Sequence, residues 1–213
     1  GGEPVYYDLT LAGNWEPDLE ALEKTDLSKV KLMWVNYPHM PTGQVPSVRF
    51  FEALIAFATR HQILICHDNP YSFILNETPQ SLLSVKGANE VVVELNSLSK
   101  SSNMAGWRVG MLVGKKERIE EVLRFKSNMD SGMYLPIQLA AAKALGLGKD
   151  WYDSINVIYK ARREKVFELL DLLKCTYSKT QVGMFVWASI PASYADGFAL
   201  SDKVLYDANV FIT

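Results

Sequence analysis

Hydrophobic and polar positions follow two different rhythms along the chain. Short apolar runs that end in polar or glycine residues predict strands at 5–9, 30–38, 63–71, 91–95 and 107–114. Apolar residues at helical spacing predict helices at 17–24, 47–61, 115–126, 135–147 and 151–175, with Pro46 in the first turn of the second. Strands that alternate with helices predict an α/β fold, with a largely parallel sheet sandwiched by helices.

The pattern changes in the last third of the chain. The long amphipathic helix predicted at 151–175 is followed by TYSKTQ, GMFVWASIP and the helical stretch DGFALSDKVLYDANV. We therefore expect part of a large domain over 1–148, and a bridging helix with part of a smaller α+β domain over 149–213. The chain begins at Gly1 and ends inside the run VFIT, so we expect it to be a piece of a longer protein.

Composition and charge narrow the classes of partner. The 213 residues carry a net charge of −2 without a block of like charges, which argues against nucleic acid and anionic membranes as partners. No apolar run approaches the ~18 residues of a membrane-spanning helix. The two cysteines, Cys66 and Cys175, are far apart, as expected in a reduced, cytoplasmic protein. The three histidines show no metal-ligand spacing, so no metal site is predicted.

Polar clusters follow three of the predicted strands, at NYPHMPTG (36–43), HDNPY (67–71) and NSLSK (96–100). In an open parallel sheet, ligands bind at the carboxyl ends of the strands. These clusters offer a carboxylate, a tyrosine, serines and a lysine, and an arginine follows in AGWRVG. A lysine can form a Schiff base, a carboxylate can pair with a protonated ring nitrogen, a phenol can bond a ring oxygen, and serine with arginine can bind phosphate. Pyridoxal phosphate needs all four groups.

The order NYPHMPTG, HDNPY, SLSKSSNMAGWRVG resembles the fold-type I pyridoxal-phosphate enzymes of class I/II aminotransferases, the aspartate aminotransferase superfamily. The resemblance covers nearly the whole chain and implies a homodimer when the protein is full-length. It implies that Lys100 forms a Schiff base with the cofactor and acts as general base. It also implies that Asp68 bonds the pyridine nitrogen and that Tyr71 bonds the ring oxygen.

The remaining site residues have a plainer interpretation beside the one that the resemblance implies. Ser97, Ser99 and Arg108 would hold the phosphate, but either serine could only cap the backbone and the arginine could form a structural ion pair. Asn36, at the start of the turn before Pro-Thr-Gly, is placed among the cofactor-binding residues, but it could only hold that turn. Asp68 likewise could be a turn-former.

One position departs from the pattern of the family. Met40 stands where the family has an asparagine directly before Pro-Thr-Gly, and a thioether is a weak acceptor and no donor. The family's phosphate loop, its ring-stacking aromatic residue and its carboxylate-binding arginine are expected outside the 213 residues, so we expect this chain alone to be inactive. No arginine lies at 127–136, which disfavours aspartate as the only substrate.

The expected function is that of an aminotransferase, which moves an α-amino group between an amino acid and a 2-oxo acid through a lysine-bound pyridoxal phosphate. Two alternatives stay open. One is a C–S β-lyase with the same cofactor, and the other is a non-catalytic aminotransferase-like domain that senses a ligand or binds a partner. A nucleotide-binding dehydrogenase is disfavoured, because no GxGxxG follows a strand.

Overall fold

A four-stranded sheet lies at the centre of the computed structural model, which describes residues 2–212. The strands β1 (Leu32–Asn36), β2 (Leu64–Asp68), β3 (Val92–Ser97) and β4 (Gly110–Gly114) lie side by side in this order. β1, β2 and β3 are parallel, whereas β4 is antiparallel to β3. β4 turns back because residues 98–109 form only short helical turns and no crossover helix. The predicted α/β fold with a largely parallel sheet is confirmed.

Helices flank and follow this sheet. Their bounds are α1 (Leu19–Leu22), α2 (Val48–His61), α3 (Ala88–Val91), α4 (Leu98–Ser101), α5 (Lys116–Met129), α6 (Leu135–Leu145), α7 (Lys149–Leu172) and α8 (Gly197–Ala208). Strands β5 (Thr176–Tyr177) and β6 (Ala188–Ser189) form a separate antiparallel pair. Every predicted helix is present. None of the helices in the described part of the chain combines the length and apolar character needed to cross a membrane.

The main core lies between α2 and the parallel strands. Phe51, Leu54 and Ala58 on the apolar face of α2 are buried in one cluster with Val35 of β1 and Ile65 of β2. Full burial of a large apolar side chain stabilises a fold by about 1.5–3 kcal/mol. This packing holds in place the strands whose carboxyl ends carry the polar residues.

The strand predicted at residues 5–9 is wrong. This segment forms no strand, and most of its side chains are exposed. Tyr7 alone packs against the main core, and its hydroxyl donates to the carbonyl of Trp34 in β1. An apolar run becomes a strand only where a neighbouring strand can pair with its backbone, which none does here.

The start of α2 also differs from the prediction. Pro46 precedes the helix instead of lying in its first turn. Ser47 is the N-cap, and its hydroxyl accepts a hydrogen bond from the Phe50 N–H at 3.0 Å. The serine oxygen satisfies an N–H of the first turn that has no partner within the helix, so the helix begins after Ser47 and Pro46 lies outside it.

Candidate active site

The register of the parallel strands brings the polar strand ends to one edge of the sheet. Asn36 of β1 pairs with Asp68 of β2, and Asp68 pairs with Leu95 of β3. The ladder continues past the strands, since the Tyr37 N–H donates to the Asp68 carbonyl at 3.2 Å and the Asn69 N–H donates to the Leu95 carbonyl at 2.8 Å. The three predicted clusters therefore begin next to one another.

Asn36 both holds its own turn and contacts Asp68. Its Oδ1 accepts a hydrogen bond from the Met40 N–H at 2.7 Å. Its Nδ2 donates to the Asp68 carbonyl at 2.9 Å and lies 3.5 Å from Asp68 Oδ2. The turn-holding interpretation of Asn36 is thus correct for its Oδ1, while its Nδ2 contacts the residue that is predicted to bond the ring nitrogen of the cofactor.

Asp68 is a half-buried carboxylate with little internal compensation. Within residues 2–212, its carboxylate accepts a side-chain hydrogen bond only from Asn36, and it caps no turn. Burial raises the pKa of Asp68 above its usual value, while the neighbouring His67 acts in the opposite direction. A carboxylate in this state can accept a cationic N–H donor.

Tyr71 follows Asp68 on the same loop. Burial raises the pKa of its phenol, and the negative charge of Asp68 raises this pKa further, so the hydroxyl remains a donor at neutral pH. Its ring packs edge-on against Phe185 at 5.8 Å between centroids. The hydroxyl has no hydrogen-bond partner in the described chain, which leaves it able to bind a ligand.

Lys100 lies in α4, the single helical turn that follows β3. Ser97 is the N-cap of this turn, and its hydroxyl accepts from the Ser99 N–H at 3.1 Å. The capping interpretation of Ser97 is thus correct for its oxygen, although its O–H can still donate. The Lys100 side chain is half-buried, and its amine forms no ion pair or hydrogen bond with any residue from 2 to 212.

Arg108 lies in the turn that leads from α4 into β4. Its backbone is left-handed with φ of 53°, and its Nη1 donates to the Ala105 carbonyl at 2.8 Å. The Leu98 N–H donates to the Val109 carbonyl at 3.3 Å, which holds this turn beside α4. Arg108 is exposed and makes no ion pair in the described residues, so the alternative of a structural ion pair is not supported.

Met40 lines a small cleft beside these loops. The cleft is walled by Tyr71, by Phe185 and by residues 182–184. Gly43 contacts that wall directly, because the Val182 N–H donates to its carbonyl at 2.9 Å. The departure from the family pattern therefore adds apolar surface to the cleft.

A buried pair was missed in the sequence. His67 Nδ1 lies 3.0 Å from Glu94 Oε2, and both side chains are almost fully buried. The signal was present in the printed sequence, because Glu94 interrupts the otherwise apolar run VVVEL. Its partner could not be identified without the register that sets His67 opposite Glu94.

Comparison with known families decides what kind of protein carries this site. Residues 1–213 match the family described as aminotransferase class I and II. The chain belongs to this family. The resemblance seen in the sequence is therefore confirmed, and the family is pyridoxal-phosphate-dependent.

Similar proteins include several aminotransferases. The chain is 38% identical to LL-diaminopimelate aminotransferase of Dehalococcoides mccartyi over 100% of its own length and 55% of that protein. It is 40% identical to the enzyme of the same name from Gloeobacter violaceus, over 95% of this chain and 53% of that protein. The chain thus spans about half the length of these relatives.

Solved structures match the fold closely. The apo form of BacF from Bacillus subtilis superposes with a TM-score of 0.90 at 34% identity, over 97% of this chain and 53% of that one. The aromatic aminotransferase of Pyrococcus horikoshii superposes with a TM-score of 0.89 at 25% identity, over 100% of this chain and 58% of that one.

The residues present fit the cofactor of the family. The Lys100 amine and the Tyr71 hydroxyl have no partner within residues 2–212, and the Asp68 carboxylate has only one weak side-chain contact. Half-buried polar groups without partners lose part of their hydration on folding, and a bound ligand can replace the hydrogen bonds that they lost to water. An amine, a carboxylate and a phenol are the groups that pyridoxal phosphate requires around its ring and aldehyde.

Proposed function

We propose that the protein that contains this chain is a pyridoxal-phosphate-dependent aminotransferase, which moves an α-amino group between an amino acid and a 2-oxo acid. The observation that carries this proposal is Lys100, a half-buried residue just beyond β3, the strand next to Asp68, whose amine has no partner in the described chain. Membership of the aminotransferase family supports the reaction class.

The residues of this chain would divide the work as follows. Lys100 would bind the cofactor aldehyde, and its amine, once the amine of the substrate has replaced it there, would move the proton of the substrate Cα. Asp68 holds the proton of the ring nitrogen, and Tyr71 donates to the ring oxygen. Bound pyridoxal phosphate supplies an electron sink for the bonds of the substrate Cα.

The phosphate would be held by groups on the α4 turn and on the turn that follows it. Ser97 and Ser99 offer hydroxyl donors, and Arg108 offers a charged fork. Because Arg108 is exposed in this chain and its Nη1 already binds the Ala105 carbonyl, its remaining N–H groups are those available to an anion. Asn36 orients Asp68 through its amide.

The relatives support diaminopimelate as the first amino donor to test, because two of them carry the name LL-diaminopimelate aminotransferase. The similar structures bear the names of aromatic and aspartate aminotransferases as well, so the screen should include those donors. Met40 adds apolar surface beside Tyr71, which favours a donor whose side chain has an apolar stem.

We also propose that the full-length protein is a cytoplasmic homodimer in which residues 1–148 belong to the large domain and 149–213 to the small one. The separate β5–β6 pair after α7 supports the division. Both cysteines are free thiols, which supports a reducing compartment.

The decisive experiment is borohydride reduction in the presence of pyridoxal phosphate, followed by peptide mass mapping. It should be run on this 213-residue chain and on the full-length protein in parallel. We expect a pyridoxyl group on Lys100 of the full-length protein and none on Lys86, an exposed lysine in the same chain. Labelling of the shorter chain as well would show that the cofactor site survives without the rest of the protein.

Other results would redirect the proposal. If Lys100 carries no label in either protein, the hypothesis that the protein is an enzyme is rejected, and the alternative of a non-catalytic binding domain is favoured. Release of ammonia and pyruvate without a 2-oxo acid acceptor would identify a C–S β-lyase instead.

A further inference from the structure

A charged pair is buried beneath the strand ends, on the opposite face of the sheet from Asp68. His67 is 0% exposed and Glu94 is 4% exposed. The two residues face each other in the register of β2 and β3, and the His67 ring packs edge-on against Phe51 of α2. An ionisable pair in the main core calls for an explanation, because an apolar pair of similar volume is often at least as stable there.

The hydrogen bonds indicate which atoms of His67 and Glu94 carry protons. His67 Nε2 lies 3.0 Å from the Tyr37 carbonyl oxygen, which can only accept, so Nε2 carries a proton. His67 Nδ1 lies 3.0 Å from Glu94 Oε2. The same Oε2 accepts from the Leu82 N–H at 3.1 Å and from the Ser81 hydroxyl at 2.7 Å.

The other oxygen of Glu94 is also surrounded by donors. Oε1 accepts from Asn69 Nδ2 at 3.1 Å and from Asn96 Nδ2 at 3.0 Å. Apart from His67, every contact of the carboxyl group donates a hydrogen bond to it, which stabilises the ionised carboxylate over the neutral acid. The proton between the pair therefore lies on His67 Nδ1, and the pair is an imidazolium and a carboxylate.

The pair contacts all three strand-end loops. Tyr37 opens the first loop and is held by the imidazolium. Asn69 opens the second loop directly after Asp68, and Asn96 precedes the turn that carries Lys100. One buried carboxylate and its histidine thus bind the starting points of the three segments that form the candidate site.

We propose that His67 and Glu94 are positioning residues that fix the three strand-end loops relative to one another and so set the geometry of the cofactor site. This inference rests on the proposed function only for its effect on the cofactor. Neither residue touches the Lys100 side chain. Support also comes from Asp68, because the charge of His67 counteracts the rise in pKa that burial causes there.

The first test measures protonation and needs no cofactor. Labelling of the full-length protein with ¹⁵N-histidine, assigned by the signal that a His67→Gln variant lacks, isolates the ring of His67, which is one of three histidines in these 213 residues. We expect both ring nitrogens of His67 to show a bonded proton at pH 7. A singly protonated ring would overturn the ion pair and with it the proposal.

The second test separates positioning from stability. Glu94→Gln keeps the shape of the side chain but turns an NH₂ group toward donors. We expect pyridoxal phosphate to bind about tenfold more weakly or worse, as for loss of a hydrogen bond to a charged group, with altered visible circular dichroism. The matched control is Glu90→Gln, which removes an exposed carboxylate bound to Lys115 and should leave both readouts unchanged.

A milder variant protects this test against misfolding. Asn96→Ala removes only the side-chain hydrogen bond between Asn96 and Glu94, just before the turn that carries Lys100. We expect it to retain its far-ultraviolet circular dichroism and to bind the cofactor several-fold more weakly. If it and a folded Glu94→Gln protein keep the cofactor affinity and visible spectrum of the wild type, the pair is only structural and the proposal fails.

Failure of the proposed function gives a different result. In that case the wild-type protein itself shows no pyridoxyl group on Lys100, and this result does not depend on how many protons the His67 ring carries. A doubly protonated His67 ring together with a labelled Lys100 and weakened variants would support both conclusions.

Discussion

The side chain of Asn36 connects two loops of the candidate site through Asp68. Its Nδ2 donates to the Asp68 carbonyl at 2.9 Å and approaches the Asp68 carboxylate at 3.5 Å, while its Oδ1 accepts from the Met40 N–H at 2.7 Å. The amide of Asn36 therefore holds the loop that follows β1, and it also contacts the carboxylate that we propose binds the ring nitrogen of the cofactor.

Asn36→Ala should weaken cofactor binding without unfolding the protein. The Asp68 carboxylate loses its side-chain donor, so its pKa should rise further and it should pair less well with a ring nitrogen. We expect roughly a threefold to tenfold higher dissociation constant for pyridoxal phosphate, measured by absorbance titration. Asn128→Ala removes an exposed amide of α5 and is the control. Equal affinities of the two variants would contradict the role of Asn36.

Lys100→Ala should abolish borohydride labelling and leave the fold intact. The Lys100 amine makes no ion pair or hydrogen bond with the part of the chain described by the structure. We therefore expect the free energy of unfolding to change by less than about 0.5 kcal/mol, measured by urea denaturation. Lys86→Ala should behave the same in denaturation but keep the label. An unchanged cofactor absorbance band in Lys100→Ala would disprove the assignment.

Asp68→Asn should separate binding from proton transfer. The amide keeps the size of the carboxylate but cannot hold a proton on the ring nitrogen by charge, so the site should still bind cofactor. We expect exchange of the substrate Cα proton with D₂O, followed by NMR, to slow by about 100-fold or more. Asp202→Asn, at an exposed position of α8, is the matched control. Unimpaired exchange in Asp68→Asn would count against its role.

The sequence was sufficient to predict the strand ends but not what lies beneath them. Apolar runs that stop at Asn36, Asp68 and Asn96 mark the edge of a parallel sheet, and the structure brings these residues to one edge. Period and composition do not define which residues face each other across strands. The pairing of His67 with Glu94 depends on that register, so it became visible only in three dimensions.

Pairing also explains where the strand predictions failed. Residues 5–9 have the composition of a strand, but no neighbour pairs with their backbone. The two-residue strands β5 and β6 are the opposite case, because they pair with each other despite being too short to leave a pattern. Local composition limits what a segment can do, and its neighbours decide the outcome.

Glu94 should make the stability of the protein sensitive to acid. Burial alone would raise its pKa, but hydrogen bonds from His67, Ser81 and Asn96 and the charge of His67 lower this pKa to about 2 from a usual 4.5. A carboxyl group with a lowered pKa stabilises the folded state above its unfolded pKa, and this stabilisation is lost as pH falls through the folded one.

The loss should therefore occur between pH 4.5 and about 2, and should be on the order of 3 kcal/mol. Urea denaturation of the wild type at a series of pH values measures it. In Glu94→Gln this part of the pH dependence should disappear, whereas Glu90→Gln should retain it. A wild-type stability that is flat across this window would refute the lowered pKa.

Gly43→Ala should disrupt the contact between the Met40 loop and the opposite wall of the cleft. Gly43 has φ of +67°, and a Cβ there would lie 2.5 Å from the Val182 carbonyl oxygen, which is backbone and cannot rotate away. A positive φ costs a residue with a Cβ about 1 kcal/mol, and overpacking adds about 1–3 kcal/mol. We expect the free energy of unfolding to fall by roughly 2–4 kcal/mol, measured by urea denaturation. Gly106→Ala is the control, since a Cβ at Gly106 has no atom within 4 Å. If both variants are equally stable, the backbone contact between Gly43 and Val182 does not hold the loop, and the wall of the cleft is set by other residues.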